Sequence, residues 1–151
     1  EIGKLAVRGP TGCLYLSDDR QRVYVKGGWN ITGDLYRRDA DGYFWYVSRA
    51  DDLIVASGYN IAGPEVEQAL LMHDAVAECA VVGQPCDERG TIVAAHIVLK
   101  QPMLAGDEMV KELQEFVKLT IAPYKYPRAI HFTDALPKTQ TGKIQRFRLR
   151  D

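Results

Sequence analysis

Short apolar and aromatic runs alternate with Gly-rich turns through the first 47 residues, and this pattern predicts β-structure. The strand-forming residues Val, Leu, Tyr and Trp are concentrated in four runs, at 4–8, 22–26, 34–38 and 43–47. Asp41-Gly42 separates the last two runs and is typical of a hairpin turn. Four short strands bury little apolar surface by themselves, so we expect this region to be the edge of a larger β-assembly.

After Asp51 the pattern changes to strands that alternate with helices. One helix is predicted at 64–72, and a second one, which Asp107 should cap, carries apolar residues at the i, i+3/i+4 spacing as far as Pro123. Strands are predicted at 53–55, 76–82, 92–99 and 128–132, the second of them ended by Gly83 and Pro85. We therefore predict an α+β fold, a small C-terminal domain with a three-stranded sheet and flanking helices, preceded by a β-rich remnant of another domain.

Composition places the chain among globular proteins and excludes several classes. Of its 151 residues, 46% are hydrophobic and 26% are charged. No apolar run is long enough to span a membrane, and no signal-peptide pattern opens the chain. The first residues look like mid-strand, so we expect a fragment. The cysteines (Cys13, Cys79 and Cys86) are odd in number and lack metal-ligand spacing, which favours a reducing, cytoplasmic setting.

Positive charge is concentrated at the C-terminal end. Residues 125–151 contain seven Lys or Arg against two Asp, although the whole chain has a net charge of −1. Such a tail can bind nucleic acid, a membrane surface or a phosphorylated small molecule, or it can be a solvated basic face.

The stretch at 48–67 joins the two patterns and contains the densest set of local signals. Charged residues (Arg49, Asp51 and Asp52) precede an apolar run, and a tight turn is predicted at Ser57-Gly58-Tyr59-Asn60, because Gly takes a positive φ without steric cost. Gly63-Pro64 then begins a helix.

As one string, residues 48–67 resemble the hinge motif of the adenylate-forming enzymes, a family that includes acyl-CoA synthetases, adenylation domains of peptide synthetases and luciferases. Thr32-Gly33-Asp34 and the string Leu-Pro-Lys-Thr-Gln-Thr-Gly-Lys-Ile at 136–144 match two further family motifs in the same order. The resemblance implies that residues 1–50 are the β-rich end of a large N-terminal, adenylate-binding domain. It implies that residues 51–151 are the complete mobile C-terminal domain.

The resemblance also assigns roles to individual residues. Asp34 is expected to bind the ribose hydroxyls of the nucleotide, and Arg49 the ribose or a phosphate. Asp51 matches the hinge about which the C-terminal domain rotates. Ser57 and Gly58 match the turn that lines the path of the CoA pantetheine. Asn60 departs from the pattern, since many relatives carry Arg there, and it is not assigned a contact.

Lys143 matches the catalytic lysine of the family. Gly142-Lys143 is not part of a P-loop, which would place Ser or Thr after the Lys, whereas Ile144 follows here. A lysine between an attacking carboxylate and the α-phosphate of ATP offsets the negative charge that gathers as the bond forms.

By resemblance, the parent protein is an ATP-dependent acid–CoA ligase for a medium-chain or aromatic acid such as benzoate or 2-aminobenzoate. Its substrates would be the acid, ATP and CoA, with AMP as a product. Mg²⁺ would be bound mainly through the missing N-terminal domain, so no metal ligand is assigned here. Lys125 and Arg128 are candidates for the CoA phosphates. The fragment alone should be inactive, because the loop that grips the ATP phosphates and the acyl pocket are absent from the sequence.

Two alternatives stay open. The enzyme could load its acid onto a carrier protein in place of CoA. In another class, the basic tail could bind nucleic acid, although aromatic residues interleave with it only sparsely; we expect neither a nucleic-acid partner nor a membrane span.

Overall fold

The computed structural model describes residues 2–10 and 19–150, which form two compact units, Glu1–Asp51 and Asp52–Asp151. Cys13 lies outside the described residues. No helix in these ranges is both long and apolar enough to cross a membrane.

The first unit is a single antiparallel sheet built around a long central strand. Its elements are β1 (Ile2–Val7), helix α1 (Arg20–Tyr24), β2 (Val25–Lys26), β3 (Trp29–Arg38) and β4 (Phe44–Arg49). Strand β3 pairs with the other three, and the turn before β4 is closed by the Asp39 N–H donating to the Tyr43 carbonyl at 3.0 Å. The hairpin predicted at Asp41-Gly42 is therefore confirmed.

The strand predicted at 22–26 is mostly wrong. Only Val25–Lys26 is extended, and α1 occupies the preceding residues. A two-residue turn at Gly27-Gly28, with φ of 58° and 80°, pairs Lys26 with Trp29. Upstream of Val25, the Arg22 N–H donates to the Asp19 carbonyl at 3.0 Å. The local helical turn thus prevails over the strand propensity of Val23 and Tyr24.

The second unit contains a hairpin, a three-stranded sheet and two long helices. Its elements are β5 (Leu53–Ala56), β6 (Tyr59–Ala62), α2 (Gly63–Leu71), β7 (Val76–Cys86), β8 (Gly90–Leu99), α3 (Asp107–Thr120) and β9 (Ala129–Phe132), with 3₁₀ turns at Pro102–Leu104, Pro123–Lys125 and Arg146–Leu149. The sheet order is β7-β8-β9, antiparallel and then parallel, and β5 pairs with β6. This arrangement confirms the predicted fold class.

One apolar cluster holds the second unit together. Helix α2 buries Val66, Ala69 and Leu70, and α3 buries Met109, Leu113 and Val117. These helices pack with side chains from the hairpin and the sheet, among them Ile54, Ile61, Val81, Val93 and Ile97. Each fully buried Leu, Ile or Val contributes about 1.5–3 kcal/mol relative to its exposed state.

Two boundary predictions in this unit are wrong. Strand β7 continues through Gly83 and Pro85 to Cys86, because an edge strand tolerates proline. A Cβ on Gly83 would lie 3.1 Å from Thr91 Cγ2 and 3.4 Å from Ile54 Cγ2, so the missing side chain lets β5 pack closely. Asp107 does not cap α3; Gly106 is the N-cap residue and Asp107 is the first helical residue, where its charge still favours the helix dipole.

Candidate functional site

Asp34 and Arg49 are brought together by the sheet of the first unit. They are paired residues of β3 and β4, and Arg49 Nε lies 3.1 Å from Asp34 Oδ1. Both side chains are partly exposed, at 28% for Asp34 and 50% for Arg49. The pair therefore keeps donor and acceptor capacity that a ligand can reach.

A β-bulge in β3 lies next to the Asp34–Arg49 pair. The register of β1 against β3 steps from Lys4–Leu35 to Ala6–Ile31, so residues 32–34 bulge from the regular ladder. Gly33 has a φ of +79°, and a Cβ there would lie 3.5 Å from Arg49 Nη2. Its carbonyl accepts from the Ala50 N–H at 2.8 Å. The positive φ therefore favours glycine at this position, whereas a Cβ would be in ordinary contact with the Arg49 guanidinium.

Asp51 lies at the end of the first unit. Its Oδ1 is 3.5 Å from Arg49 Nε, and its side chain is 67% exposed. The residue that was predicted to be the hinge therefore sits at the boundary between the two units, and it belongs to the same exposed charge cluster as Asp34 and Arg49.

Ser57 and Gly58 form the two-residue turn of the β5–β6 hairpin. Their φ values are 50° and 81°, as a type I′ turn requires at both central positions. Both residues are exposed. The ring of the next residue, Tyr59, stacks on Tyr124 with centroids 4.3 Å apart, which ties the turn to the 3₁₀ turn at Pro123–Lys125.

The candidate phosphate contacts near this stack are already engaged within the protein. Lys125 Nζ lies 2.5 Å from Glu65 Oε1, and it also faces the Tyr124 ring at 5.7 Å. Arg128 Nη1 donates to the Tyr126 hydroxyl at 2.9 Å. A ligand phosphate would have to share these cations or displace their partners.

Lys143 is presented by a small hairpin loop. An isolated bridge joins Lys138 to Ile144, and the Thr139 N–H donates to the Lys143 carbonyl at 2.8 Å. The Lys143 N–H donates in turn to Thr139 Oγ1 at 3.0 Å, and Gly142 takes a φ of 82° at the turn. Within the part of the chain that the structure describes, the exposed Lys143 ammonium pairs with no carboxylate.

Glu67 and Arg146 form a buried ion pair that the sequence analysis missed. Both carboxylate oxygens of Glu67 accept from Arg146, at 2.8–3.1 Å, and Glu67 Oε1 also accepts from the Val81 N–H at 2.9 Å. A signal was available in the sequence, since Glu67 lies next to Val66 on the apolar face of a predicted helix. A charge in such a position needs a partner.

Cys79, His96 and Asp39 have shifted pKa values. Burial raises the pKa of the Cys79 thiol to about 12, so this cysteine is inert. Burial, followed by the nearby His131, lowers the pKa of His96, whose Nε2 lies 3.1 Å from the Leu149 carbonyl. A hydrogen bond from Trp45 lowers the pKa of Asp39 in the β3–β4 turn. Among residues 2–10 and 19–150, no three His, Cys, Asp or Glu side chains gather as a metal ion would need.

The chain is similar to AMP-binding enzymes, among them acyl–CoA ligases. Residues 65–143 match the family model described as the AMP-binding enzyme C-terminal domain. An uncharacterized acyl–CoA ligase of Bacillus subtilis (strain 168), YtcI, is 48% identical over 99% of this chain, which spans 29% of that relative's length.

Solved structures agree with this match. An anthranilate CoA ligase in complex with anthranoyl-AMP superposes with a TM-score of 0.86 at 40% identity, over 99% of this chain and 29% of that one. A benzoate CoA ligase from Burkholderia xenovorans LB400 gives a TM-score of 0.84 at 42% identity, over 100% of this chain and 30% of that one. The chain belongs to the family of AMP-binding enzyme C-terminal domains.

Proposed function

We propose that this chain is the C-terminal part of an ATP-dependent carboxylic acid–CoA ligase, and that its acid is aromatic or medium-chain. One observation carries the proposal: an exposed lysine, Lys143, that pairs with no carboxylate among the described residues, at the tip of a hydrogen-bonded loop in a domain of this family. The similarity to a benzoate CoA ligase and an anthranilate CoA ligase supports the aromatic acid class.

In the first half-reaction, a carboxylate oxygen attacks the α-phosphorus of ATP. The bond from that phosphorus to the bridging oxygen breaks, and pyrophosphate leaves together with its electron pair. Two anionic groups approach each other in this step, so a cation between them stabilises the transition state more than the separated reactants. We assign this role to Lys143, whose ammonium is a compact charge on a flexible stem.

In the second half-reaction, the CoA sulfur attacks the acyl carbon of acyl-AMP. The thiol loses its proton, the bond between the acyl carbon and the phosphate oxygen breaks, and AMP leaves. We assign the Ser57-Gly58 turn to the pantetheine path, because an exposed turn without a side chain at Gly58 lets a slender ligand lie against the backbone. The two half-reactions thus use different faces of the second unit, with Asp51 as the hinge between them.

Asp34 and Arg49 are proposed to bind the adenosine part of the nucleotide in both half-reactions. A carboxylate accepts from both ribose hydroxyls, and the neighbouring guanidinium holds that carboxylate and reaches a phosphate. Mg²⁺ would neutralise the ATP phosphates. The described residues offer no cluster of three such ligands for it, and by resemblance to the family we assign it mainly to the N-terminal domain.

The test is an acid-panel assay on the full-length protein, with pyrophosphate release as the readout. We expect release with aromatic or medium-chain acids, and AMP and a thioester only when CoA is added. Replacement of CoA by a carrier protein that bears phosphopantetheine separates the main proposal from the carrier-loading alternative. Absence of pyrophosphate release with every acid in the panel would refute the proposed function.

A further inference from the structure

The ion pair between Glu67 and Arg146 is close to the lysine loop in the chain, because Arg146 follows Lys143 by three residues. Glu67 projects from α2, and its side chain is only 11% exposed. Its carboxylate receives the Val81 N–H and three contacts from the Arg146 guanidinium. A buried carboxylate that lost these donors would be strongly disfavoured, so Glu67 holds Arg146 in one place.

Arg146 is connected to Lys143 by a short, hydrogen-bonded segment. Ile144 forms the bridge with Lys138, and the Gln145 N–H donates to the Pro137 carbonyl at 2.8 Å. Both legs of the loop are therefore paired up to the residue that enters the ion pair. The backbone at Lys143 is thus linked to α2 through paired residues and the ion pair.

The same guanidinium reaches the start of the second unit. Arg146 Nη1 lies 4.0 Å from Asp52 Oδ2, and Arg150 Nη2 lies 2.7 Å from Asp52 Oδ1. Asp52 follows the proposed hinge residue Asp51. One set of charges thus joins the lysine loop, helix α2 and the first residue after the hinge.

We propose that Glu67 and Arg146 are positioning residues for Lys143, which they keep at a constant place relative to α2 and Asp52. This inference rests on the proposed function, since it concerns the half-reaction that is assigned to Lys143. Neither residue needs to touch a substrate. The other ion pair of the loop, Lys138 with Glu78, is about 40% exposed on both sides, and water screens such a pair.

The kinetic test compares Glu67→Gln and Arg146→Lys with the parent in the full-length protein. A displacement of about 1 Å can lower a rate about 100-fold, so we expect a fall of that order in kcat for acyl-adenylate formation in Glu67→Gln. KM for ATP and for the acid should change little, because Lys143 acts in the transition state. Arg146→Lys keeps the charge but loses the planar fork, so its loss should be smaller.

Thioester formation from supplied acyl-AMP separates positioning from general damage. It does not use Lys143, so it should stay near the parental rate in both variants. Glu115→Gln is the matched control: it removes an exposed ion pair with Lys118 on α3 and should leave both half-reactions unchanged.

Amide hydrogen exchange gives a readout that is independent of activity. In Glu67→Gln, the amides of Lys143 and Gln145 should exchange faster, whereas those of Leu113 and Val117 in α3 should not change. Parental adenylation rates, unchanged loop exchange, or equal losses in both half-reactions would each overturn the inference. If the parent itself releases no pyrophosphate, the proposed function fails, and amide exchange still decides whether the ion pair holds the loop.

Discussion

The two units of this chain bury their apolar side chains to very different extents. In Asp52–Asp151, two layers of helix and strand enclose a continuous cluster that runs from Ile54 to Val117. In the described part of Glu1–Asp51, only Leu35 and Ser48 are buried, and large side chains such as Phe44 and Trp45 are more than half exposed. A single sheet has no second layer to cover such a face. The second unit thus has the core of an independent domain, and the first does not.

The charged pairs of the two units differ in the same way. The side chains of Asp34 and Arg49 in the first unit are 28% and 50% exposed, whereas those of Glu67 and Arg146 in the second are 11% and 23% exposed. An exposed ion pair has lone pairs and N–H groups that can still bind a ligand. In a buried ion pair, these groups form hydrogen bonds within the protein. The difference suggests that charge in the first unit serves binding and that charge in the second serves position.

Production of the two units as separate pieces is the strongest test of the difference in their cores. We expect residues 52–151 alone to unfold cooperatively in urea, and residues 1–51 alone to show no cooperative transition. The physical reason is that conformational entropy opposes folding in both pieces, but only one buries enough apolar surface to offset it. Circular dichroism during urea titration of each piece is the measurement. A cooperative transition in the 1–51 piece would contradict the contrast.

Asp51→Pro tests whether the boundary between the units is a hinge. Proline restricts φ to about −65° and also restricts the preceding Ala50. A residue that must adopt two conformations in one catalytic cycle would be held in one of them. In the full-length protein we expect acid-dependent pyrophosphate exchange to survive and thioester formation to fall by orders of magnitude.

The control for the hinge test is Asp51→Ala, which leaves the torsion free and removes an exposed contact with Arg49. It should be mild in both half-reactions. If the proline variant converts acyl-AMP and CoA at the parental rate, the rotation does not pivot at Asp51.

Lys143→Ala tests whether Lys143 acts in only one of the two half-reactions. Acyl-adenylate formation should fall on the order of 10²–10³-fold, the range for a lost charge contact in a transition state. Thioester formation from supplied acyl-AMP should remain largely intact. Pyrophosphate exchange and single-turnover thioester assays measure the two steps. The control is Lys138→Ala, in the same loop but paired with Glu78, which should retain most of the adenylation rate. Equal losses in both half-reactions for Lys143→Ala would show that Lys143 has a structural role.

Two leucines of α3 test the core itself. Leu113 is fully buried, and its replacement by Ala should lower the free energy of unfolding by about 2–5 kcal/mol. Leu119 is 87% exposed on the same helix, so its replacement by Ala should change the free energy of unfolding by less than about 0.5 kcal/mol. Urea midpoints of the two variants provide the comparison. Similar effects at both positions would show that α3 does not pack as described.

The smallest expected effect concerns the pH dependence of stability. His96 has a pKa below its ordinary value of 6.5, so the unfolded chain binds a proton there more readily than the folded chain. This contribution to stability is present above pH 6.5 and is lost as the pH falls through 6.5 towards the folded pKa. The difference in urea midpoint between pH 7.5 and pH 5.5 should be smaller in His96→Gln than in the parent. An identical pH dependence in both would exclude His96 as a contributor.

Local signals in the sequence predicted much of this architecture. Apolar spacing identified α2, α3 and the strands of the three-stranded sheet, because these elements bury one face or both against a common core. The Ser57-Gly58 turn and the Asp41-Gly42 turn followed from glycine's access to positive φ. The roles of Asp34, Arg49, Asp51, Ser57, Gly58 and Lys143 came from the resemblance of whole motifs and stay predictions.

Only the tertiary structure decided the contacts between residues that are distant in the chain. Gly83 and Pro85 were expected to end β7, but the strand continues because it lies at a sheet edge and packs against Ile54. Glu67 and Arg146 are 79 positions apart, and no local pattern pairs them. Burial makes their partnership obligatory, and burial is a property of the packed fold.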